Sequence, residues 1–360
     1  MIYYSHNMKE KIIFITGSSG YVGEMLVDQF SKRDDIKQII GVDIVEPSNL
    51  TGSNSKLIFI NANLGDFDWQ EKVAAYHPEI IIHTAWQIRE MKDKKMQYKM
   101  NIIGSDNVFD FAFSNESVKR LIHFSTVASY GAFSTNEINT LFTEEDPFRK
   151  SEYFYAEEKR ITEEHLSEKI HALKDTKQLP KVYVIRPAAI TGPRGRFMRI
   201  RFGLQSALSG QLKGAKSFWY SLVSALVSFT PITPKWCRQF VHEDDINDIV
   251  ELLSFSDVIS SDFEIFNASP FGPVVLGGDM ARAVGKKAVK VHPRIIQFAF
   301  FIMRNISFGK IPTSKGGWKS YSYPIAVDGS KITKKYGYQY KMNSLDAFTK
   351  TEGRYMEYVK

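Results

Sequence analysis

The chain has 360 residues, 43% of them hydrophobic, a formal charge of +7 at neutral pH and one cysteine, Cys237. That length buries a large core, in one large domain or two joined ones, and a single cysteine excludes an intramolecular disulfide. No run of roughly 18 apolar residues exists, so no spanning helix is expected. The basic residues fall in small clusters such as Lys92-Asp93-Lys94-Lys95 and Lys286-Lys287. No basic stripe is interleaved with aromatics, which argues against nucleic acid and leaves an anionic cofactor, an anionic substrate or a membrane surface as users of the positive field. No apolar stretch precedes the first strand, so no secretory leader is expected, and a reducing, cytoplasmic setting is the simplest reading.

The first predicted strand, 11–16, holds Ile12-Ile13-Phe14-Ile15 and runs into Thr16-Gly17-Ser18-Ser19-Gly20-Tyr21-Val22-Gly23 and a helix over 21–32. Gly17 permits a tight turn, Gly20 lets a diphosphate approach the backbone, and Gly23 lets the helix pack close on the strand. The helix N-terminus aims its free N–H groups at the anion. The next strand, 38–43, ends on Asp43, about 20 residues on, where a ribose-binding carboxylate is expected. Strands over 56–61, 79–84, 120–125 and 181–186 alternate with helices over 67–76, 94–114 and 151–173. This rhythm predicts a parallel, doubly wound sheet with right-handed crossovers.

Tyr155 and Lys159 form a Tyr-x-x-x-Lys pair, four residues apart on one face of the helix that follows the strand ending at Ser125-Thr126. A free tyrosine, with a pKa near ~10, is a poor base. A nearby Lys159 ammonium and the positive nicotinamide of a dinucleotide favour the phenolate, so Tyr155 can take a proton from an alcohol while Thr126 orients that oxygen. After Arg186-Pro187 the rhythm changes. Segment 196–236 is apolar and aromatic, and regularity returns at Arg238–Phe255 and Asp262–Asn267. Residues 1–187, with 238–267 returning to them, are expected to form the cofactor domain. Residues 188–237 and 268–360 are expected to form a smaller lobe over the carboxyl edge of the sheet.

These motifs together resemble the extended short-chain dehydrogenase/reductase superfamily, in its NAD-dependent epimerase/dehydratase branch. The resemblance rests on the glycine turn, Asp43, His83-Thr84-Ala85, Asn101 to Gly104 with Asn107, Ser125-Thr126, Tyr155 with Lys159, Arg186-Pro187 with Gly192-Pro193, and Arg238 to Asp245. It implies a Rossmann-type α/β fold with a C-terminal substrate-binding lobe. Thr126, Tyr155 and Lys159 become the catalytic set. Gly17, Gly20, Tyr21, Val22, Gly23, Asp43, Asn63, Leu64, Thr84, Ala85, Asn101, Lys159 and Ala188 become the cofactor contacts. His83 and His242 are structural in this pattern, and no metal is implied. A carboxylate at Asp43 accepts from a ribose 2′-hydroxyl and repels a 2′-phosphate, so the cofactor is expected to be NAD rather than NADP.

Departures from the pattern narrow the reaction. Val127-Ala128 follow Thr126 where the sugar 4,6-dehydratases carry Asp-Glu, so dehydration by that route is not expected. Ala189 and Thr191 stand where polar substrate grips are usual in nucleotide-sugar enzymes, while Arg238 remains at a position that often binds a substrate diphosphate. An ion pair of Arg238 with Asp244 or Asp245 is the alternative for that residue. Two stretches, Phe218–Phe229 and Ile295–Met303, are unusually apolar. The substrate reading is therefore open between a hydrophobic, sterol- or isoprenoid-like alcohol and a nucleotide sugar, with epimerase and dehydrogenase both open. A non-catalytic NAD-binding sensor or scaffold is the alternative of another class. A small-molecule substrate is the expected partner, and a homodimer and peripheral membrane contact are compatible with the sequence.

Overall fold

The computed structural model describes residues 10–48, 54–195, 229–258, 261–283, 285–306 and 314–358. The first half alternates β1 (Lys11–Thr16), α1 (Tyr21–Ser31), β2 (Ile36–Asp43), β3 (Leu57–Asn61), α2 (Asp68–Ala74), β4 (Ile80–His83), α3 (Lys94–Tyr98), α4 (Gly104–Ser114), β5 (Arg120–Phe124), α5 (Phe154–Leu173) and β6 (Lys181–Pro187). Then come β7 (Ala189–Thr191), β8 (Phe229–Ile232), β9 (Cys237–Arg238), β10 (Phe240–His242), α6 (Glu243–Phe255) and β11 (Phe263–Ala268). The C-terminal part holds β12 (Val275–Leu276), α7 (Gly277–Ala283), β13 (Lys287–Lys290) and α8 (Pro293–Ile306), followed by short helices at Gly317–Ser320, Ser330–Tyr336 and Ser344–Thr349.

Seven strands form one sheet in the order β11-β6-β5-β4-β1-β2-β3. Every neighbouring pair is parallel. Parallel strands covered on both faces read as continuous apolar runs, which is why β1 is Ile-Ile-Phe-Ile and β4 is Ile-Ile-Ile. Side chains alternate between two cores. Ile13 and Ile15 pack with Leu26 and Phe30 of α1 and Ile246 and Ile249 of α6. Phe14 packs on the other face with Trp69, Val108, Phe111 and Leu166 from α2, α4 and α5. The strand order reverses between β1 and β4. Crossovers leave that point in opposite directions, so a crevice opens at the carboxyl ends of these two strands.

Beyond β6 the chain leaves the sheet and comes back to it. β11 pairs with β6 from Phe263–Val182 to Ala268–Pro187 and forms the edge. A third core, with Trp236, Phe240, Val275, Met280 and Phe348, joins the C-terminal segments. Of the apolar stretch 218–229, only the final Phe229, at the start of β8, lies within the described residues.

Two predicted helices differ in detail. The helix expected over 94–114 is interrupted by a π-helical turn, Lys99–Ile103. Asn101 sits in that turn, where it donates to Gln87 O (3.1 Å) and to Glu158 Oε2 (2.7 Å) and accepts from the Gln87 N–H (2.8 Å). The helix expected from 151 begins at Phe154, because the Ser151 hydroxyl takes the Tyr153 N–H (3.1 Å) and holds the chain in a turn.

α5 carries charge into the interior. Glu163 and Arg186 of β6 form a buried ion pair, and Arg186 Nη1 also donates to Tyr130 Oη (2.6 Å). Removing one partner strands the other charge. Glu163→Ala is expected to cost roughly 3–5 kcal/mol in urea unfolding, and Glu163→Leu with Arg186→Met to recover most of it.

Candidate active site

A cavity of about 860 Å³ lies over the carboxyl ends of β1 and β4. One end is built from backbone. Gly17, at φ +70°, turns the chain, its N–H bonded to Val42 O (2.8 Å) and its carbonyl taking the Gly20 N–H (2.9 Å). A Cβ on Gly23 would lie 2.0 Å from that carbonyl, and one on Gly17 would lie 2.7 Å from the Ala85 backbone. Turn, helix α1 and the end of β4 therefore touch through backbone alone. A Cβ on Gly20 would come only within 3.1 Å of Gly17 O, so that position is crowded by nothing but the turn and lines the cavity. The Ser19 hydroxyl, which lines the cavity, is buried without a hydrogen-bond partner among the described residues. A Cβ-free cradle, an orphaned hydroxyl and the free N–H groups of α1 fit a diphosphate.

Asp43 ends β2 at the same cavity. Its carboxylate accepts from the N–H groups of Ser19 and Val45, both at 3.1 Å. Burial raises its pKa, and these backbone bonds act against the rise. Tyr21, Val22, Asn63, Leu64, Thr84, Ala85, Asn101 and Ala188 also line the cavity. Tyr21 donates its hydroxyl to Glu243, and Asn63 caps the Gly65 N–H (2.9 Å). Thr84 donates to Thr16 O (2.7 Å) and the Ala85 N–H to Thr16 Oγ1 (3.3 Å), which fixes the loop after β4 to the end of β1.

Thr126, Tyr155 and Lys159 come together where β5 ends and α5 begins. Thr126 caps a short 3-10 turn by accepting the Ala128 N–H (3.2 Å), and its side chain acts to lower the pKa of the Tyr155 hydroxyl. Lys159 lies one helical turn on, buried, its ammonium donating to Phe124 O and resting 3.7 Å from the centre of the Trp86 ring. Burial raises the pKa of Tyr155, opposed by its interaction with Thr126. Burial likewise lowers Lys159 from 10.5 to about 7, with Glu163 and Glu158 opposing. The physical reason is desolvation, which disfavours the charged form of both groups.

His83 and His242 stay out of the cavity. His83 is buried between Thr16 Oγ1 (2.7 Å) and Ser105 Oγ (2.9 Å), and burial lowers it to about 3. His242 accepts the Asp244 N–H (3.2 Å) at the start of α6. Ala189 and Arg238 both line the cavity. Arg238 forms no ion pair with Asp244 or Asp245. Asp244 accepts from the Arg354 N–H (3.0 Å), and Asp245 from Tyr338 (2.7 Å) and the Lys341 N–H (2.9 Å). The guanidinium instead lies over Tyr321 (5.0 Å) and Trp236 (5.9 Å). Sequence reasoning missed Trp86 and Tyr153, which line the cavity beside Lys159 and Tyr155. Trp86 directly follows Thr84-Ala85, and that adjacency was the available signal.

The profile of the NAD dependent epimerase/dehydratase family matches residues 13–257, and the chain belongs to that family. UDP-glucose 4-epimerase of Mycolicibacterium smegmatis is 28% identical over 135 residues, 34% of this chain and 42% of the relative. The 3 beta-hydroxysteroid dehydrogenase/Delta 5-->4-isomerase of Vaccinia virus (strain Ankara) is 25% identical over 201 residues, 52% and 54% respectively. The chain thus spans about half the length of the curated relatives it matches. The Bordetella bronchiseptica enzyme WbmG, solved with NAD and UDP, shares the fold at a TM-score of 0.64 and 20% identity, over 94% of this chain and 91% of that one. The family fixes the cofactor as NAD, in agreement with the donor set of the cradle.

Two predictions follow from the charges at this site. Asp43→Ala removes the group that repels a 2′-phosphate, so calorimetric titration should show the preference for NAD over NADP reduced roughly tenfold or more. Lys159 is depressed in the folded state, so between about pH 7 and 10.5 the unfolded chain binds the extra proton. Stability contributed through Lys159 therefore rises with pH across that window. Urea unfolding at pH 7 and pH 9 should show a smaller rise for Lys159→Met than for the parent chain.

Proposed function

We propose that the chain is an NAD-dependent oxidoreductase or epimerase acting on a secondary alcohol. The observation that supports this most is that Thr126 and Tyr155 line a cavity whose other end is the glycine cradle and Asp43, with Lys159 buried one helical turn beyond Tyr155. Gly17, Gly20, Gly23 and the start of α1 would hold the diphosphate, Asp43 the adenosine ribose, and Ala188 would lie near the nicotinamide. When bound, NAD supplies the hydride acceptor. The chain's own work is on the proton. Thr126 holds the substrate oxygen, and Tyr155 Oη takes the hydroxyl proton as the carbon is oxidised. Lys159, held near neutrality by burial, supplies positive charge when protonated and so favours the phenolate form that Tyr155 needs. Asn101 and Glu158 brace the loop behind them.

The substrate reading favoured here is an alcohol bearing a diphosphate, as in a nucleotide sugar. Arg238 supports it: a cation in the cavity wall that engages no carboxylate among the described residues and lies over the Tyr321 and Trp236 rings. A second reading, a hydrophobic alcohol, is favoured by the apolar wall of Ala189, Phe300, Tyr321 and Ile325. The non-catalytic alternative is disfavoured because Tyr155 and Lys159 are both present. In this reading residues 1–187 with 238–267 form the cofactor unit, and 188–237 with 268–360 the substrate lobe. A cytoplasmic location, a homodimer and peripheral membrane contact belong to the same proposal. Among the described residues no helix is long and apolar enough to cross a membrane.

Tyr155→Phe removes the proton acceptor and keeps the ring, so turnover should fall by a factor on the order of 10² or more with NAD binding retained. Near-parental turnover would contradict the assignment. Thermal shift with NAD present separates the substrates. Stabilisation by UDP that is lost in Arg238→Ala supports the nucleotide sugar, whereas stabilisation by hydrophobic alcohols alone supports the second reading.

A further inference from the structure

Helix α8 is apolar on both sides. Ile296 and Phe300 face inward and are buried, with Phe300 5.4 Å from the Tyr321 ring and in the wall of the cavity. On the opposite side Ile295, Phe298 and Phe301 are 55%, 63% and 62% exposed. A helix on a globular surface normally turns a polar face outward. Three large apolar side chains on the outer face of one 14-residue helix call for a covering partner.

The sequence that carries this face is basic, although Arg282 pairs with Asp279 and Lys315 and Lys319 pair with Glu152. From Met280 to Val327 the sequence has nine Lys and Arg and no Asp or Glu, more than the net charge of +7 carried by the whole chain. Lys287 and Lys290 of β13 and Arg294 and Arg304 of α8 are exposed. Among the described residues none of these four has an ion-pair partner. Arg294 shares a helical face with Phe298 and Phe301 by the i, i+4, i+7 spacing. The chain's own apolar segment 196–228 offers no counter-charge, since it adds five Lys and Arg and no acid. A second copy docked face to face would oppose the same cations across the two-fold axis. The partner that fits is both apolar and anionic.

We propose that this face seats the protein on an anionic lipid bilayer. Phe298 and Phe301 enter the boundary between headgroups and acyl chains, while Lys287, Lys290 and Arg294 meet the lipid phosphates. Because α8 also walls the cavity through Phe300, docking brings the substrate end of the cavity next to the lipid. This deepens the membrane contact within the functional reading above and needs none of its chemistry.

The test is co-sedimentation of the full chain with vesicles of phosphatidylcholine alone or with about one-third phosphatidylserine, a leaflet charge in the range that attracts polybasic surfaces. The proposal expects partitioning at least ~10-fold stronger on the anionic vesicles, weakened by salt. Phe298→Ser with Phe301→Ser should weaken it by ~10-fold or more, and Arg294→Ala by about fivefold. Melting temperature and NAD binding of these variants should match the parent chain, so a failure on vesicles is distinguishable from a failure of the enzymatic reading. Absence of binding, equal binding to neutral vesicles, or full binding by the double variant would overturn the proposal. So would a parent chain that elutes as a dimer which the double variant dissolves.

Discussion

The site depends on one steric condition: the carbonyl of Gly17 occupies the space that a Cβ on residue 23 would need. With no side chain at either position, α1 descends onto β1 until backbone meets backbone, and the end of β4 closes against the same turn through Ala85. Any side chain at position 23 would lift α1. The N–H groups of its first turn would then no longer point into the crevice between β1 and β4, and the Ser19 N–H would leave Asp43. The reversal of strand order supplies the crevice, and the two glycines make it narrow enough to grip an anion.

The second dependence is electrostatic and runs along α5. This helix buries Glu158, Lys159 and Glu163, an uncommon cargo for a helix packed on a sheet. Each charge has a stated partner or direction. Glu163 meets Arg186, Glu158 is held by Gln97 and Asn101, and Lys159 donates to the carbonyl at the end of β5. Tyr155 at the start of the helix is thereby set against Thr126. Burial lowers the Lys159 pKa to about 7 and raises that of Tyr155, so both shifts run toward the less charged form. That fits a site whose base becomes active only in the presence of a cationic cofactor and a substrate that excludes water.

Most of the sheet was legible because its signal is local. Uninterrupted apolar runs mark buried parallel strands, and the glycine turn marks the first crossover. β1 to β6 accordingly start and end within two residues of their predicted bounds. The positions of Asp43, Thr126 and Tyr155 were legible for the same reason, since each sits at a fixed offset from a strand end. What was not legible depends on tertiary packing. The π-helical turn at Lys99–Ile103 is set by where Asn101 must reach. The direction of the Tyr155 shift is set by desolvation, which has no sequence pattern. Trp86 over Lys159 joins residues on separate elements. The freedom of Arg238 from Asp244 and Asp245 was equally hidden, because it depends on Arg354, Tyr338 and Lys341 reaching those carboxylates first.

The most direct measurement of the central claim is calorimetric titration of NAD into the parent chain and Gly20→Ala. A Cβ at that position meets only Gly17 O at 3.1 Å, so the variant should fold with a nearly unchanged melting temperature. It also fills the surface that a diphosphate must approach. The account predicts one NAD site in the parent chain and affinity at least ~10-fold weaker in the variant. Equal affinity in the two proteins, or no NAD binding by the parent chain, would contradict it.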